Sequence, residues 1–239
     1  MNILDVHTHI LPGIDDGAAT PEESLEMLKN AIASDVTGLV ATPHFNIPNH
    51  FVATKEQILE GFRNLQQLAR DLPITLFPGA EVHITRELPQ ILQKGEFLTL
   101  NNSRYLLSEF PAMADASYIR KYLSRILAEG CIPLVAHPER YPVVCHEPSI
   151  VESWLDMGCH IQLTAGSVLG KYGITVQAAA AFLLNHDLVA CVASDAHGTH
   201  HRTNYLGDIR TFLETHYSPQ YARFLLWENP KTILQDKDL

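Results

Sequence analysis

The chain has 239 residues, 46% of them hydrophobic and 18% charged; this excludes a disordered chain and is enough to bury the core of one barrel-sized domain. Its formal net charge is -10, from 27 acidic against 17 basic side chains with no basic run, which argues against nucleic acid as a partner. No apolar stretch approaches the roughly 20 residues that cross a bilayer, and the start MNILDV lacks the basic and apolar regions of a secretory signal, so a cytoplasmic protein without membrane insertion is expected.

Along the chain, short apolar runs alternate with longer amphipathic segments. ILDV reads as the first strand. PEESLEMLKNAIASD then has apolar residues at helical spacing, with Thr20 as N-cap, Pro21 in the first turn and Glu23 three residues on. TGLVAT, ITLFPGAEV, YLLSEF, IPLVAH, HIQLT and LVACVAS read as six further strands. Between them TKEQILEGFRNLQQLARDL, DASYIRKYLSRILAEG, PSIVESWLDMG and TVQAAAAFLLNH read as helices, with Glu129-Gly130 and Met157-Gly158 as helix ends. SPQYARFLLWENPKTILQDKDL reads as a closing helix, a turn at Asn229-Pro230 and a short helical tail. Seven strand-helix units with nearly continuous apolar strands predict an α/β protein of one domain, 1–239, built as a distorted TIM-like (β/α)7 barrel. An open doubly wound sheet is the alternative, but HTHILPG is not the glycine-rich phosphate loop such a sheet carries after its first strand.

Cys131, Cys145, Cys159 and Cys191 are widely spaced and form no C-x-x-C pair, so buried free thiols are expected. A cysteine phosphatase needs an arginine six residues after its nucleophile. Those positions hold His137, Val151, Ala165 and His197, which excludes that chemistry.

The predicted strands share a feature at their C-terminal ends. The first ends in His7 and His9, the second in His44, the third in Glu81, the fourth in Glu109, the fifth in His137 and Arg140, and the seventh in Asp195 and His197. In a parallel barrel all these ends open on one face, where barrel enzymes keep their chemistry. Carboxylates gathered there would repel one another unless cations lay between them. Imidazoles with carboxylates and no thiolate suit Mn, Fe or Zn, and the number of donors predicts two or three ions. Taken singly, each residue has a plainer reading: His137 as a structural histidine, Glu81 or Glu109 as a cap or ion-pair partner, Asp15 and Asp16 as turn residues before Gly17. Their coincidence on six strand ends favours the metal reading. His50, His83, His146, His160, His186, His200, His201 and His216 lack that context and are read as surface or structural.

At DVHTHILPGIDDG, ATPHF, GAEV, LLSEF, AHPERY, QLTAGS and ASDAH the sequence resembles the PHP (polymerase and histidinol phosphatase) family, and within it the bacterial manganese-dependent protein tyrosine phosphatases of the CpsB/CapC/YwqE type. The motifs occur in the expected order over nearly the whole chain. The resemblance implies a trinuclear centre, with Mn2+ as the first choice. His7, His9, Glu81 and Asp195 would hold one ion, Glu81, Glu109 and His137 a second, and His44, His197 and Asp16 the third. It further implies Arg140 and Arg202 as phosphate-binding arginines. Many members of the family it resembles carry a basic residue at the position held here by Phe45.

The implied reaction is attack on phosphorus by a hydroxide formed from water between two cations, with charge on the phosphoryl oxygens spread over metals and arginines. A tyrosine leaving group, with a pKa of about 10, needs little acid help. The implied partner is a phosphotyrosine protein, the tyrosine-rich tail of a bacterial tyrosine kinase of capsule or exopolysaccharide synthesis; an oligomer is compatible with the sequence. Three rivals compete. A histidinol-phosphatase-like enzyme would use the same residues on a small molecule. An amidohydrolase would want a lysine on the fourth strand and a histidine on the sixth, where this chain has Glu109 and QLT. A non-enzymatic, metal-stabilised regulator would bind metal without turnover.

Overall fold

The computed structural model describes residues 1–48 and 50–239. Among them are nine strands: β1 (Ile3–Thr8), β2 (Val36–Ala41), β3 (His44–Phe45), β4 (Thr75–Pro78), β5 (Glu81–His83), β6 (Tyr105–Glu109), β7 (Ile132–Ala136), β8 (His160–Thr164) and β9 (Cys191–Ala193). They pair in parallel as two arcs, β1-β2-β4 and β3-β5-β6-β7-β8-β9. Seven strand positions become nine elements because the second and third are each interrupted. Thr42-Pro43 separates β2 from β3, and Gly79-Ala80 separates β4 from β5; Pro43 has no N–H to give a ladder. The ring closes where the backbone N–H of Asp195 donates to His7 O and that of His9 to Ala196 O, both at 2.9 Å, beside a parallel pairing of Thr8 with Ala196.

The helices are α1 (Pro21–Ala33), α2 (Lys55–Leu68), α3 (Leu88–Lys94), α4 (Ala116–Ala128), α5 (Pro142–His146), α6 (Glu152–Leu155), α7 (Ala165–Val168), α8 (Ile174–Asn185), α9 (Leu206–His216), α10 (Pro219–Arg223) and α11 (Asn229–Leu234). Thr20 caps α1 by accepting from Glu23 N, with Pro21 in the first turn, as its sequence predicts. Thr54 and Gln57 close a reciprocal capping box on α2. PSIVESWLDMG is not one helix but a 3-10 turn, Pro148–Val151, running into α6. Asn229-Pro230 is not a turn either. The chain passes from α10 through a π-helical stretch, Phe224–Glu228, directly into α11, and the widened turn accommodates a proline that cannot donate to the preceding turn. Among the described residues no helix is long and apolar enough to cross a membrane.

Two apolar clusters sort the faces of the strands. Ile3, Leu39, Leu106, Val135, Ile161 and Val192 pack outward against the helices, whereas Leu4, Val6, Val40, Leu107, Leu134 and Cys191 fill the interior and are met there by Ile233 of α11. The inward positions thus change character along each strand: apolar at the N-terminal end, plugged by the C-terminal helix, and polar at the other. In β1 the pairing register shifts between Asp5 and Thr8. The shift lets Val6 and His7 both face inward, since a bulge puts consecutive residues on one face.

Candidate metal centre

His7 and His9 approach through their Nε2 atoms, 3.1 Å apart. Each Nε2 also faces Glu81 Oε2, at 3.4 and 3.3 Å, and Asp195 Oδ1, at 3.5 Å in both cases. Glu81, at the start of β5, is fully buried. Its Oε1 lies 2.8 Å from His137 Nε2 and its Oε2 3.0 Å from His44 Nδ1. Asp16 reaches in from the loop after β1, its Oδ1 3.5 Å from His44 Nε2 and 3.4 Å from His197 Nε2. Four groups of donor atoms result, each with its atoms within 4.8 Å of one another: His9, Asp16, His44, His197; His7, His9, Asp195; His7, Glu81, His137; and His44, Glu81, Glu109. All nine residues expected at the centre therefore converge. The groupings differ from expectation: Glu81 is not with His7, His9 and Asp195, His7 joins Glu81 and His137, and His9 joins Asp16, His44 and His197. Glu109 groups with His44 and Glu81 rather than with His137, and its Oε2 also lies 2.8 Å from His83 Nδ1.

The electrostatics follow from burial. Burial opposes charge on His9 and His44, but Asp15 and Glu81 outweigh it and carry both rings up to about 9. Burial pushes His197 the other way, down to about 4, with the neighbouring His9 adding to the effect. For Asp195, burial is overcome by His7 and Arg140, which hold the carboxyl well below its ordinary range. Glu81 is likewise depressed, burial yielding to His7, His137 and His44. Hydrogen bonding to His197 lowers Asp16.

Several buried atoms have no hydrogen-bond partner among the described residues: Glu81 Oε2, His44 Nδ1, His137 Nδ1 and His197 Nε2. A buried carboxylate oxygen facing three imidazole nitrogens, with no well-aligned hydrogen bond to any of them, is a donor set a cation satisfies. The donor set fits metal ions.

Both arginines meet at Asp195. Arg140 Nη2 donates to Oδ2 at 2.6 Å, and Arg202 Nη2 to Oδ2 at 2.8 Å and Oδ1 at 3.0 Å. The Nε atoms of both are buried without a partner among the described residues, leaving two cationic donors beside the donor cluster. His137, Asp195 and Arg202 have φ of 36°, 52° and 50°, a left-handed conformation that costs a non-glycine residue energy and collects at functional sites. At His137 this kink turns the ring inward at the end of β7, one residue after inward-facing Ala136.

Other site residues escaped the sequence reading. Asp15, read as a turn residue, accepts from His9 Nδ1 at 2.7 Å and from the backbone of His44 and Gly17. Gln162 on β8 holds His7 Nδ1 at 2.9 Å. His83 lies two residues after Glu81 in β5, the alternation that links His7 to His9, and that spacing could have flagged it.

The family model for capsular polysaccharide synthesis, CpsB/CapC, matches residues 3–235. The tyrosine-protein phosphatase YwqE of Bacillus subtilis is 31% identical over 99% of this chain and 93% of its own. The tyrosine-protein phosphatase CpsB of Streptococcus pneumoniae is 31% identical over 98% and 99%. A solved structure from work on YwqE and CpsB of those organisms, metal-dependent tyrosine phosphatases, covers 98% of this chain and 95% of that one with a TM-score of 0.91 at 31% identity. A lactonase from Listeria monocytogenes covers 99% and 95% with a TM-score of 0.65 at 12% identity, a likeness of fold alone.

Proposed function

We propose, from the premise that this chain belongs to the CpsB/CapC family of capsular polysaccharide synthesis, that it is a metal-dependent protein-tyrosine phosphatase. The observation that carries the reading is the pairing of a cation-ready donor cluster, centred on Glu81 Oε2, with two arginines whose buried Nε–H groups lack partners among the described residues. A cluster of donors alone fits many hydrolases. Two free guanidinium donors beside it fit a tetrahedral dianion, because arginine matches phosphoryl oxygens in geometry and charge.

In this reading His7, His9, Glu81 and Asp195 would hold one ion, Glu81, Glu109 and His137 a second, and Asp16, His44 and His197 a third, with Mn2+ as the native metal. Bound divalent cations supply Lewis-acid charge and a water acidic enough to serve as nucleophile at neutral pH. The chain's residues do the rest. Arg140 and Arg202 bind and orient the phosphoryl oxygens, and Asp195 keeps both guanidinium groups at the centre. Phenolate, the conjugate base of a group with pKa about 10, departs without a strong acid. The substrate is a phosphotyrosine protein, the tyrosine-rich tail of a bacterial tyrosine kinase, dephosphorylated in the cytoplasm. An amidohydrolase reading fits less well: Gln162 stands on β8 and orients His7 instead of offering a ligand, and β6 ends in Glu109.

The test is hydrolysis of a phosphotyrosine peptide, with histidinol phosphate assayed in parallel. Activity should require added Mn2+, vanish on chelation and fall by at least about 10²-fold, the scale of losing a metal-assisted step, in His137→Ala and Asp195→Ala. Undiminished turnover after chelation, or in those variants, would refute the reading. Preference for histidinol phosphate would replace it with the small-molecule one.

A further inference from the structure

Tyr172 lies on the loop between α7 and α8. Its ring sits against the Arg140 guanidinium, 4.4 Å from centroid to Cζ. A tight backbone holds it there: Lys171 N donates to Gly166 O at 2.9 Å and Gly173 N to Gly170 O at 3.4 Å. A Cβ on Gly166 would come within 2.9 Å of Tyr172 Cε2, so the absence of a side chain at 166 is what lets the ring lie against α7. Burial raises the Tyr172 phenol above its ordinary value, while Arg140 and Arg202 pull against it.

Arg140 is fixed at one end only. Asp195 takes Nη2, while Nε is buried and free. A guanidinium anchored through one nitrogen can still turn about that contact, and its usefulness to a planar face of phosphoryl oxygens depends on its plane. An aromatic face stacked on it removes that freedom.

We propose that Tyr172 is a positioning residue for the phosphoryl-binding arginines, its ring face setting the plane of the Arg140 guanidinium so that the free Nε–H is presented to the anion. The inference rests on the phosphatase reading above. It assigns the work to the ring and not to the hydroxyl, and it gives Gly166 a part in the same device.

Wild type, Tyr172→Phe, Tyr172→Leu and Gly166→Ala, all loaded with Mn2+, are compared in three measurements: inorganic phosphate binding by calorimetry, KM and kcat for p-nitrophenyl phosphate, and metal content by mass spectrometry. Tyr172→Leu should weaken phosphate binding and raise KM by about 30-fold, the scale of one desolvated cation–π contact, with kcat changed much less and metal content unchanged. Tyr172→Phe keeps the ring and should behave as wild type. Gly166→Ala, which pushes the ring away, should move in the direction of Tyr172→Leu. Phosphate affinity unaltered in Tyr172→Leu, or lost equally in Tyr172→Phe, overturns the inference; so does loss of metal from Tyr172→Leu. Wild type that neither binds phosphate nor hydrolyses any ester overturns the phosphatase reading itself, whereas an active wild type with a silent Tyr172→Leu overturns only the part given to Tyr172.

Discussion

An imidazole that faces a cation through one ring nitrogen commits its proton to the other, and the acceptor of that proton fixes both the tautomer and the basicity of the ring. His7 and His9 differ in this respect: Gln162 Oε1 takes the Nδ1 of His7 at 2.9 Å, and Asp15 Oδ2 takes that of His9 at 2.7 Å. Asp15 also accepts from His44 N at 2.8 Å and Gly17 N at 2.9 Å, so one carboxylate orients one histidine, pins the backbone of a second and shapes the loop that delivers Asp16. Gly17 is bound to this arrangement, since a Cβ there would lie 2.1 Å from His9 O. Asp15→Ala is therefore expected to lower metal affinity by about 10- to 100-fold, the usual effect of losing such a partner. Gln162→Leu, which removes a neutral acceptor, should lower it less. Metal retained after dialysis against graded chelator measures both; retention equal to wild type in Asp15→Ala would show that the carboxylate shapes only the turn.

The closing seam of the barrel depends on one buried carboxylate. Asp5 of β1 accepts from Ser194 N at 3.0 Å, Ser194 Oγ at 2.6 Å and Thr8 Oγ1 at 2.9 Å, joining β1 to the residue between β9 and Asp195. Burial raises its pKa, against the hydrogen bonds from Ser194. Asp5→Ala strands these donors in a dry seam, at a cost of about 3 kcal/mol, or a fall of roughly 6–12 °C in Tm for a chain of this length; a thermal melt with the metal bound gives the value, and a fall of under a degree would remove the seam role. Little of this was legible in the sequence. Strand ends were, because an apolar run that stops at a histidine or carboxylate marks its own polar end, and for that reason His44, Glu109 and His197 were found. Asp5 lies inside an apolar run and is satisfied by Ser194, 189 residues away, a pairing that no local pattern records. The same holds for Gln162, whose partner His7 lies on another strand, and for Tyr172, whose partner Arg140 lies in the turn after β7. The π-helical passage into α11 is hidden from the sequence because a proline usually marks a boundary, and the widened turn that accommodates it has no sequence period of its own.

If His9 and His44 are ligands, as proposed, protons and metal ions would compete to balance the charge of the centre, and metal-free and metal-loaded protein would respond oppositely to pH. His9 and His44 are raised from 6.5 to about 9 in the folded protein, burial being outweighed by the carboxylates around them. Their stabilisation is therefore complete below their ordinary value of 6.5 and is lost as pH rises towards 9. His197 is lowered from 6.5 to about 4 by burial, so its contribution is present above 6.5 and is lost as pH falls towards 4. Glu81 and Asp195 are depressed, against burial, by the histidines and Arg140, and theirs is lost only in acid. Metal-free protein should thus be most stable near neutrality and weaken towards pH 8.5 as His9 and His44 lose their protons. Metal-loaded protein should do the reverse over that range, since the ligating rings must be neutral and proton competition eases as pH rises. Thermal melts at pH 6.5, 7.5 and 8.5, with Mn2+ and with chelator, should show the gap between the two Tm values widening at each step. Curves that stay parallel would mean that the histidines do not exchange protons for metal, and would contradict the placement of His9 and His44 among the ligands.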